Sequence, residues 1–283
     1  MNQSNVWKDV LFEKRDRIET LTLNRPERFN AYSPEMRTGI ARAIDDVAND
    51  EDISVLIITG AGDKGFCTGY DWSLRGSQNP AEIGLGNKYR LDPLGWISRW
   101  VYQLKKITIA AVNGVAAGGG AGLALSCDFR IASENARFST AFIKRGLVVD
   151  TGIAYFLPRL VGLTKALEIS LSGDVLDARE AERIGLVSKV VPADKLMEAT
   201  NEFAARFTKM PPIALQLTKC LLYKGQSLSL EDTLDYESYF QTICFQTEDV
   251  KEGIRSFLEK REPEFTGKFP GLDADYLTKL MGF

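Results

Sequence analysis

Two uninterrupted apolar runs, Val55-Leu56-Ile57-Ile58 and Ile107–Val112, do most to limit what this chain can fold into. A strand with one wet face alternates apolar and polar residues. A run without alternation belongs to a strand covered on both faces, as in a parallel sheet clothed by helices. Each run leads into glycine: Gly60-x-Gly62-x-x-Gly65 after the first, and Asn113 through Gly122, with Gly118-Gly119-Gly120 in the middle, after the second. The strand expected over Arg17–Leu23 is followed by a helix with Ser33 as N-cap and Pro34 at its first position. Met36, Ile40, Ala43, Ile44 and Val47 recur at helical spacing along it. Phe129–Ala132 and Leu186–Val191 read as further strands, Ala121–Leu125 as a small-residue helix, and Asp177 with Glu180 as a capping box. The β-α-β order predicts an α/β fold with a parallel sheet. From Pro192 the pattern turns wholly helical, over 194–208, 212–223, 230–245 and 248–260. The expected division is a β/α core over 1–192 and a C-terminal helical subdomain over 193–283 that docks onto a neighbouring subunit.

The 283 residues include no histidine. That removes Ser-His-Asp and Cys-His pairs, His-ligated metals and the usual base near neutral pH, so acid–base chemistry must come from carboxylates, Tyr, Lys or backbone amides. Against 35 Lys+Arg stand 38 Asp+Glu, a net charge of -3 that offers no basic field to nucleic acid or a membrane surface. Cys67, Cys127, Cys220 and Cys244 form no CxxC pair, and no apolar leader or membrane-length segment is visible. The expectation is a cytoplasmic protein with reduced thiols, no metal and small-molecule partners.

Gly60-x-Gly62-x-x-Gly65 has the spacing of a dinucleotide fingerprint, but Phe66-Cys67-Thr68-Gly69-Tyr70-Asp71 follows it without a helical period, so no nicotinamide or flavin site is expected. The triple glycine lets a ligand approach the main chain, beside the free N–H groups and positive dipole end of a helix N-terminus. Tight helix–strand packing would explain either glycine stretch alone. Two of them, each after a buried strand of one sheet, point to a pair of converging N–H donors, an oxyanion site.

At these motifs the chain resembles the crotonase superfamily, the enoyl-CoA hydratase/isomerase fold, whose members process acyl-CoA thioesters. Asn24-Arg25-Pro26 through Asn30-Ala31 is similar to the family's first CoA-contacting loop, and Gly65 through Asp71 to its second. Asn113 through Gly120 and on to Asp128 is similar to the central motif, with Gly185-Leu186-Val187 and Phe257 through Arg261 as later landmarks. The resemblance implies a ββα spiral core with a helical tail, and a homotrimer or dimer of trimers with CoA as part of the substrate and no bound cofactor. It implies that the N–H groups of Tyr70 and Gly119 hold the thioester oxygen. Arg28, Ala31, Thr68, Gly69 and Asp71 would lie along CoA, and Phe257 and Lys260 would serve a neighbouring subunit's CoA pocket. For Lys260, a solvated surface charge is the equal alternative.

The hydratases of this family use two glutamates, and the matching positions here are Gly122 and Phe142. What remains is Asp150, at a position where non-hydratase members carry an acidic residue. It is read as general base or nucleophile in an apolar setting beside Val148 and Val149, or else as the N-cap of the helix holding Ile153, Phe156, Leu157 and Leu160. Phe142, with Tyr70 and the tryptophans Trp72, Trp96 and Trp100, favours a cyclic or aryl acyl group. A lyase, hydrolase or isomerase working through Asp150 is the leading reading. Hydration without the glutamate pair and a non-catalytic acyl-CoA-binding protein are the alternatives.

Overall fold

The computed structural model describes residues 6–7, 9–75, 95–140 and 142–269. They fall into two compact units, 1–204 and 205–283.

In the first unit, β1 (Val6–Trp7), β2 (Val10–Arg15) and β3 (Ile18–Leu23) form an antiparallel ribbon. β2 turns Val10 and Phe12 inward and Leu11 and Glu13 outward. Helix α1 (Pro34–Asn49) follows, opened by Ser33, whose Oγ accepts the Met36 N–H at 3.0 Å, and it buries the five apolar residues the spacing picks out. β4 (Val55–Gly60) and β6 (Ile107–Val112) are buried at every position, as their unbroken apolar runs require. With β8 (Phe129–Ser133) and β11 (Lys189–Val191) they extend the ribbon in parallel, in the order β1-β2-β3-β4-β6-β8-β11. The last strand is shorter than the sequence suggests: Leu186 and Val187 are buried in the turn before it, their N–H groups donating to the Ala181 carbonyl.

A second sheet comprises β5 (Gly65–Cys67), β7 (Val115–Ala117), β9 (Arg137–Ser139) and β10 (Val175–Asp177), in the order β10-β9-β7-β5. Strands of three residues are too short to show a period of two. Three of them follow directly on strands of the large sheet, so the chain repeats a unit of strand, strand and helix. The repeats are β4, β5 and α2 (Trp96–Gln103); β6, β7 and α3 (Gly119–Ser126); and β8, β9 and α4 (Ile153–Val161). Each repeat adds one parallel strand to both sheets. The turns leaving the C-terminal ends of β5, β7 and β9 are therefore brought side by side.

After α4 come α5 (Leu163–Ser172) and α6 (Ala178–Arg183). Asp177 caps α6, its Oδ1 accepting the Glu180 N–H at 2.8 Å. The Glu180 carboxylate pairs with Arg183 at 2.7 Å instead of returning to Asp177, so half of the expected capping box forms. Helix α7 (Leu196–Thr208) carries the division between the units. In the second unit, α8 (Pro212–Gly225), α9 (Leu230–Phe245) and α10 (Glu248–Glu259) form a helical body, with Ile213, Leu217, Cys220, Phe240 and Ile243 at its centre. All four cysteines are free thiols. Among the described residues no helix is long and apolar enough to cross a membrane, and no group of His, Cys, Asp or Glu could hold a metal ion.

One carboxylate in β3 sits against the logic of the sheet. Glu19 is 4% exposed, opposite Lys14 of β2, and burial lifts its pKa from 4.5 to about 7 against the pull of the Lys14 charge. Between those two values the folded state holds a proton that the unfolded chain has lost, so stability falls as pH rises through that window. Glu19→Gln should flatten the fall, raising the melting temperature at pH 8 more than at pH 5. Parallel curves for the two proteins would refute it.

Candidate active site

The turn after β5 runs from Thr68 to Asp71, with Gly69 in the left-handed region at φ +77. Tyr32 clasps this turn like a strand. Its N–H donates to the Gly69 carbonyl at 2.7 Å and its carbonyl accepts the Asp71 N–H at 3.4 Å. The Tyr70 N–H between them has no acceptor among the described residues. The turn after β7 passes through Gly118 into α3, whose first residue is Gly119. An N–H at that position has no partner within its own helix. The two turns touch: a Cβ built on Gly69 would lie 2.6 Å from the Gly119 nitrogen. Two unpaired amides thus sit on adjoining turns, one at the positive end of a helix.

Buried polar side chains hold these turns. Arg25 donates through Nη1 to the Ala31 carbonyl at 2.7 Å and through Nη2 to Asp71 Oδ2 at 3.0 Å. Asp71 Oδ1 accepts from the Ser73 N–H and hydroxyl at 3.0 and 2.6 Å. The Ser73 hydroxyl and then Arg25 hold the Asp71 carboxyl below its ordinary pKa, against the cost of burial. Asn30 is fully buried, donating to the carbonyls of Gly65 at 2.6 Å and Ala61 at 3.0 Å and accepting the Arg25 N–H at 2.8 Å. Thr68 Oγ1 reaches the Phe29 carbonyl at 3.5 Å. Ala31, Thr68, Gly69 and Asp71 are thus stitched into one place, with Arg28 exposed at the end of a short 3₁₀ turn beside them. The Asp71 carboxylate is committed inside the protein. The resemblance places Arg25 and Asn30 in a CoA-contacting loop but gives neither a role of its own. Their one signal is two strongly polar residues in a short loop between a strand and a helix, where buried carbonyls need donors.

The third turn, after β9, carries Phe142 and Asp150. A Cβ on Gly118 would lie 3.7 Å from the tip of the Phe142 ring, which places that ring beside the second amide turn. Asp150 is not the helix cap. The N-cap of α4 is Gly152, with no side-chain cap bond, and only the backbone carbonyl of Asp150 takes part, accepting the Ile153 N–H at 3.0 Å. Its Oδ1 is buried without a hydrogen-bond partner, and burial pushes the carboxyl pKa up against the opposing influence of the Thr151 hydroxyl. Of the two valines expected to shelter it, Val149 packs against the core while Val148 is 83% exposed.

Thr151 was not foreseen. It adopts φ +52, a rare conformation for a β-branched residue. Its Cβ lies 2.7 Å from where a Cβ on residue 122 would stand, so its side chain fills the space a side chain at Gly122 would enter. Gly122 is therefore more than a missing carboxylate: α3 and the Asp150 turn close on each other through it. Gly122→Ala should cost about 1–3 kcal/mol by overpacking. A thermal melt unchanged from wild type would contradict this.

Trp96 and Trp100 pack edge to face at 4.5 Å, and Trp72 packs on Tyr70 at 5.8 Å, with Trp72 and Trp100 partly exposed. Phe257 and Lys260 belong to the second unit. Phe257 is 82% exposed, and Lys260 ends α10 in the left-handed region at φ +55.

A ββα spiral whose adjoining turns present two free amides is the crotonase fold, and solved structures agree. An enoyl-CoA hydratase from Bacillus anthracis superposes with a TM-score of 0.87 over 92% of this chain and 100% of that one, at 31% identity. Residues 13–268 match the enoyl-CoA hydratase/isomerase family, to which the chain belongs. The 1,2-epoxyphenylacetyl-CoA isomerase of Escherichia coli is 38% identical over 254 residues, 89% of this chain and 95% of that protein. The (E)-benzylidenesuccinyl-CoA hydratase of Thauera aromatica is 36% identical over 261 residues, 91% and 99% of the two chains. The protein is an acyl-CoA-processing enzyme of the crotonase superfamily.

Proposed function

We propose that this enzyme isomerises a cyclic or aryl acyl-CoA, with Asp150 as general base and the N–H groups of Tyr70 and Gly119 as the oxyanion pair. The observation that carries the reading is the Asp150 carboxyl, with a buried and unpartnered oxygen, on the turn next to the two free amides. The thioester oxygen accepts from both amides, and Asp150 takes a proton from the acyl group. The electron pair released is delocalised through a carbon–carbon double bond of the acyl group and onto the thioester oxygen as a dienolate. The same carboxyl returns the proton at another carbon, so mass and charge balance without a co-reactant. A pKa raised by burial suits a base better than an ionised nucleophile. Preorganised amides supply a few kcal/mol of the stabilisation.

Arg28, Ala31, Thr68, Gly69 and Asp71 line the CoA moiety in this reading, Asp71 through its backbone because its carboxylate is engaged. Phe142 and Tyr70 flank the acyl group, and two relatives are named for aryl acyl-CoA compounds. Phe257 and Lys260 complete the CoA site of a neighbouring copy in a cytoplasmic homotrimer or dimer of trimers. The assembly subdomain of this reading, 193–283, begins ahead of α7, the helix along which the chain divides into its two compact units at 204. Incubation with linear, cyclic and aryl CoA thioesters, followed by mass spectrometry with chromatography, tests the function. A product of unchanged mass and altered retention is expected from a cyclic or aryl substrate. A gain of one water would mean hydration or ring hydrolysis instead, and no turnover of any thioester would leave a binding protein.

A further inference from the structure

Tyr32 takes no part in the proton transfer, yet it touches both amide-bearing turns. Its backbone flanks Tyr70 on both sides, through the Gly69 carbonyl at 2.7 Å and the Asp71 N–H at 3.4 Å. Its side chain crosses to the other turn, where the hydroxyl donates to the Gly119 carbonyl at 3.4 Å. The Tyr32 ring edge lies 3.2 Å from where a Cβ on Gly119 would stand. The residue is buried. Gly118-Gly119-Gly120 has no side chain of its own to fix it, and glycine gives its backbone the widest choice of dihedrals. An amide meant to meet an oxygen in one direction needs an outside constraint.

We propose that Tyr32 is a positioning residue for the oxyanion pair: its N–H fixes the peptide that carries the Tyr70 amide, its hydroxyl and ring hold Gly119 from the carbonyl side of the Cα whose other side carries the Gly119 N–H, and together they limit the angle between the two N–H groups. This rests on reading those amides as the oxyanion donors. Burial holds the Tyr32 hydroxyl well above its ordinary pKa, so it stays a donor across the working range. Tyr32 then acts on the electronic state of the bound thioester and on neither CoA affinity nor the titration of Asp150.

The test is difference infrared spectroscopy of the full-length enzyme with a saturated acyl-CoA, carbonyl-labelled with carbon-13, as an unreactive probe. In the wild type the carbonyl stretch moves to lower wavenumber on binding. In Tyr32→Phe, which removes one oxygen and keeps the ring, most of that movement is lost. At the same time kcat falls about tenfold, the worth of one hydrogen bond, while probe affinity and the pH at half-maximal kcat/KM stay as they are. Tyr32→Met, lacking the same hydroxyl, gives the same spectrum and stands in if the phenylalanine variant fails to fold. A full shift with unchanged kcat in either variant overturns the role of Tyr32. No shift in the wild type overturns the oxyanion reading itself.

Discussion

Asp150→Asn is expected to lower kcat by about 10²- to 10⁴-fold, the usual worth of a positioned general base, while affinity for a CoA thioester stays nearly unchanged. Asparagine keeps the shape of the side chain and loses only the ability to accept and return a proton. Exchange of acyl-group protons with deuterated water, catalysed by the wild type, should vanish with it. The pH profile supplies a second signature. A base must be ionised, so kcat/KM falls as pH drops through the Asp150 pKa, and burial shifts that limb upward from where an ordinary aspartate would put it. The limb should be missing from any residual activity of the variant. Stability separates this from the capping role. Loss of a cap costs roughly 1 kcal/mol, but Asp150 makes no cap bond. A buried carboxyl with a raised pKa is disfavoured when ionised, so the neutral asparagine should melt at the same temperature at pH 7 or higher. A variant that loses stability and keeps its turnover would end the assignment.

The large sheet was legible because its inner strands are covered on both sides. That condition leaves the unbroken runs of β4 and β6, and α1 carries its cap and its stripe in plain view. The second sheet was not legible, since strands such as Gly65–Cys67 are three residues long. The consequence reached the site. Sequence reasoning placed the amides in turns after the large-sheet strands, whereas Tyr70 and Gly119 follow β5 and β7 of the small sheet. The threefold repetition of strand, strand and helix is a repeat of topology that no residue pattern records. At the site, Asp150 was visible as an acid before an apolar helix, which a cap and a base share; the position of Gly152 as the actual cap removes the first, and the second is the proposal tested by Asp150→Asn. Gly120 combines both readings of the glycine stretch, because a Cβ there would run into the backbone carbonyl of Cys67 in β5 and tight packing does govern that residue. Arg25, Tyr32 and Thr151 act through partners 46, 87 and 29 positions away in sequence. Their roles depend on how the repeats stack, which no local period encodes.

Gly69→Ala should lower kcat by about 10²- to 10³-fold, the cost of losing one oxyanion donor. The backbone there is at φ +77, where an L side chain adds roughly 1–2 kcal/mol of strain. The methyl would stand 2.6 Å from the Gly119 nitrogen and 3.1 Å from the Ala117 carbonyl oxygen, both backbone atoms that cannot rotate away. Relief requires one turn to move, and either movement swings an amide off the thioester oxygen. The kinetic signature differs from that of Asp150→Asn. The acid limb of the pH profile stays where it is, because the base is untouched, and proton exchange at the acyl carbon persists at a reduced rate. The carbonyl stretch of a bound thioester loses its low-wavenumber shift in Gly69→Ala and keeps it in Asp150→Asn. Circular dichroism and a melt within a few kcal/mol of wild type show that the fold survives. Full activity in a folded Gly69→Ala protein would mean that the two turns do not act as a pair, and the oxyanion site would have to be sought elsewhere on the spiral.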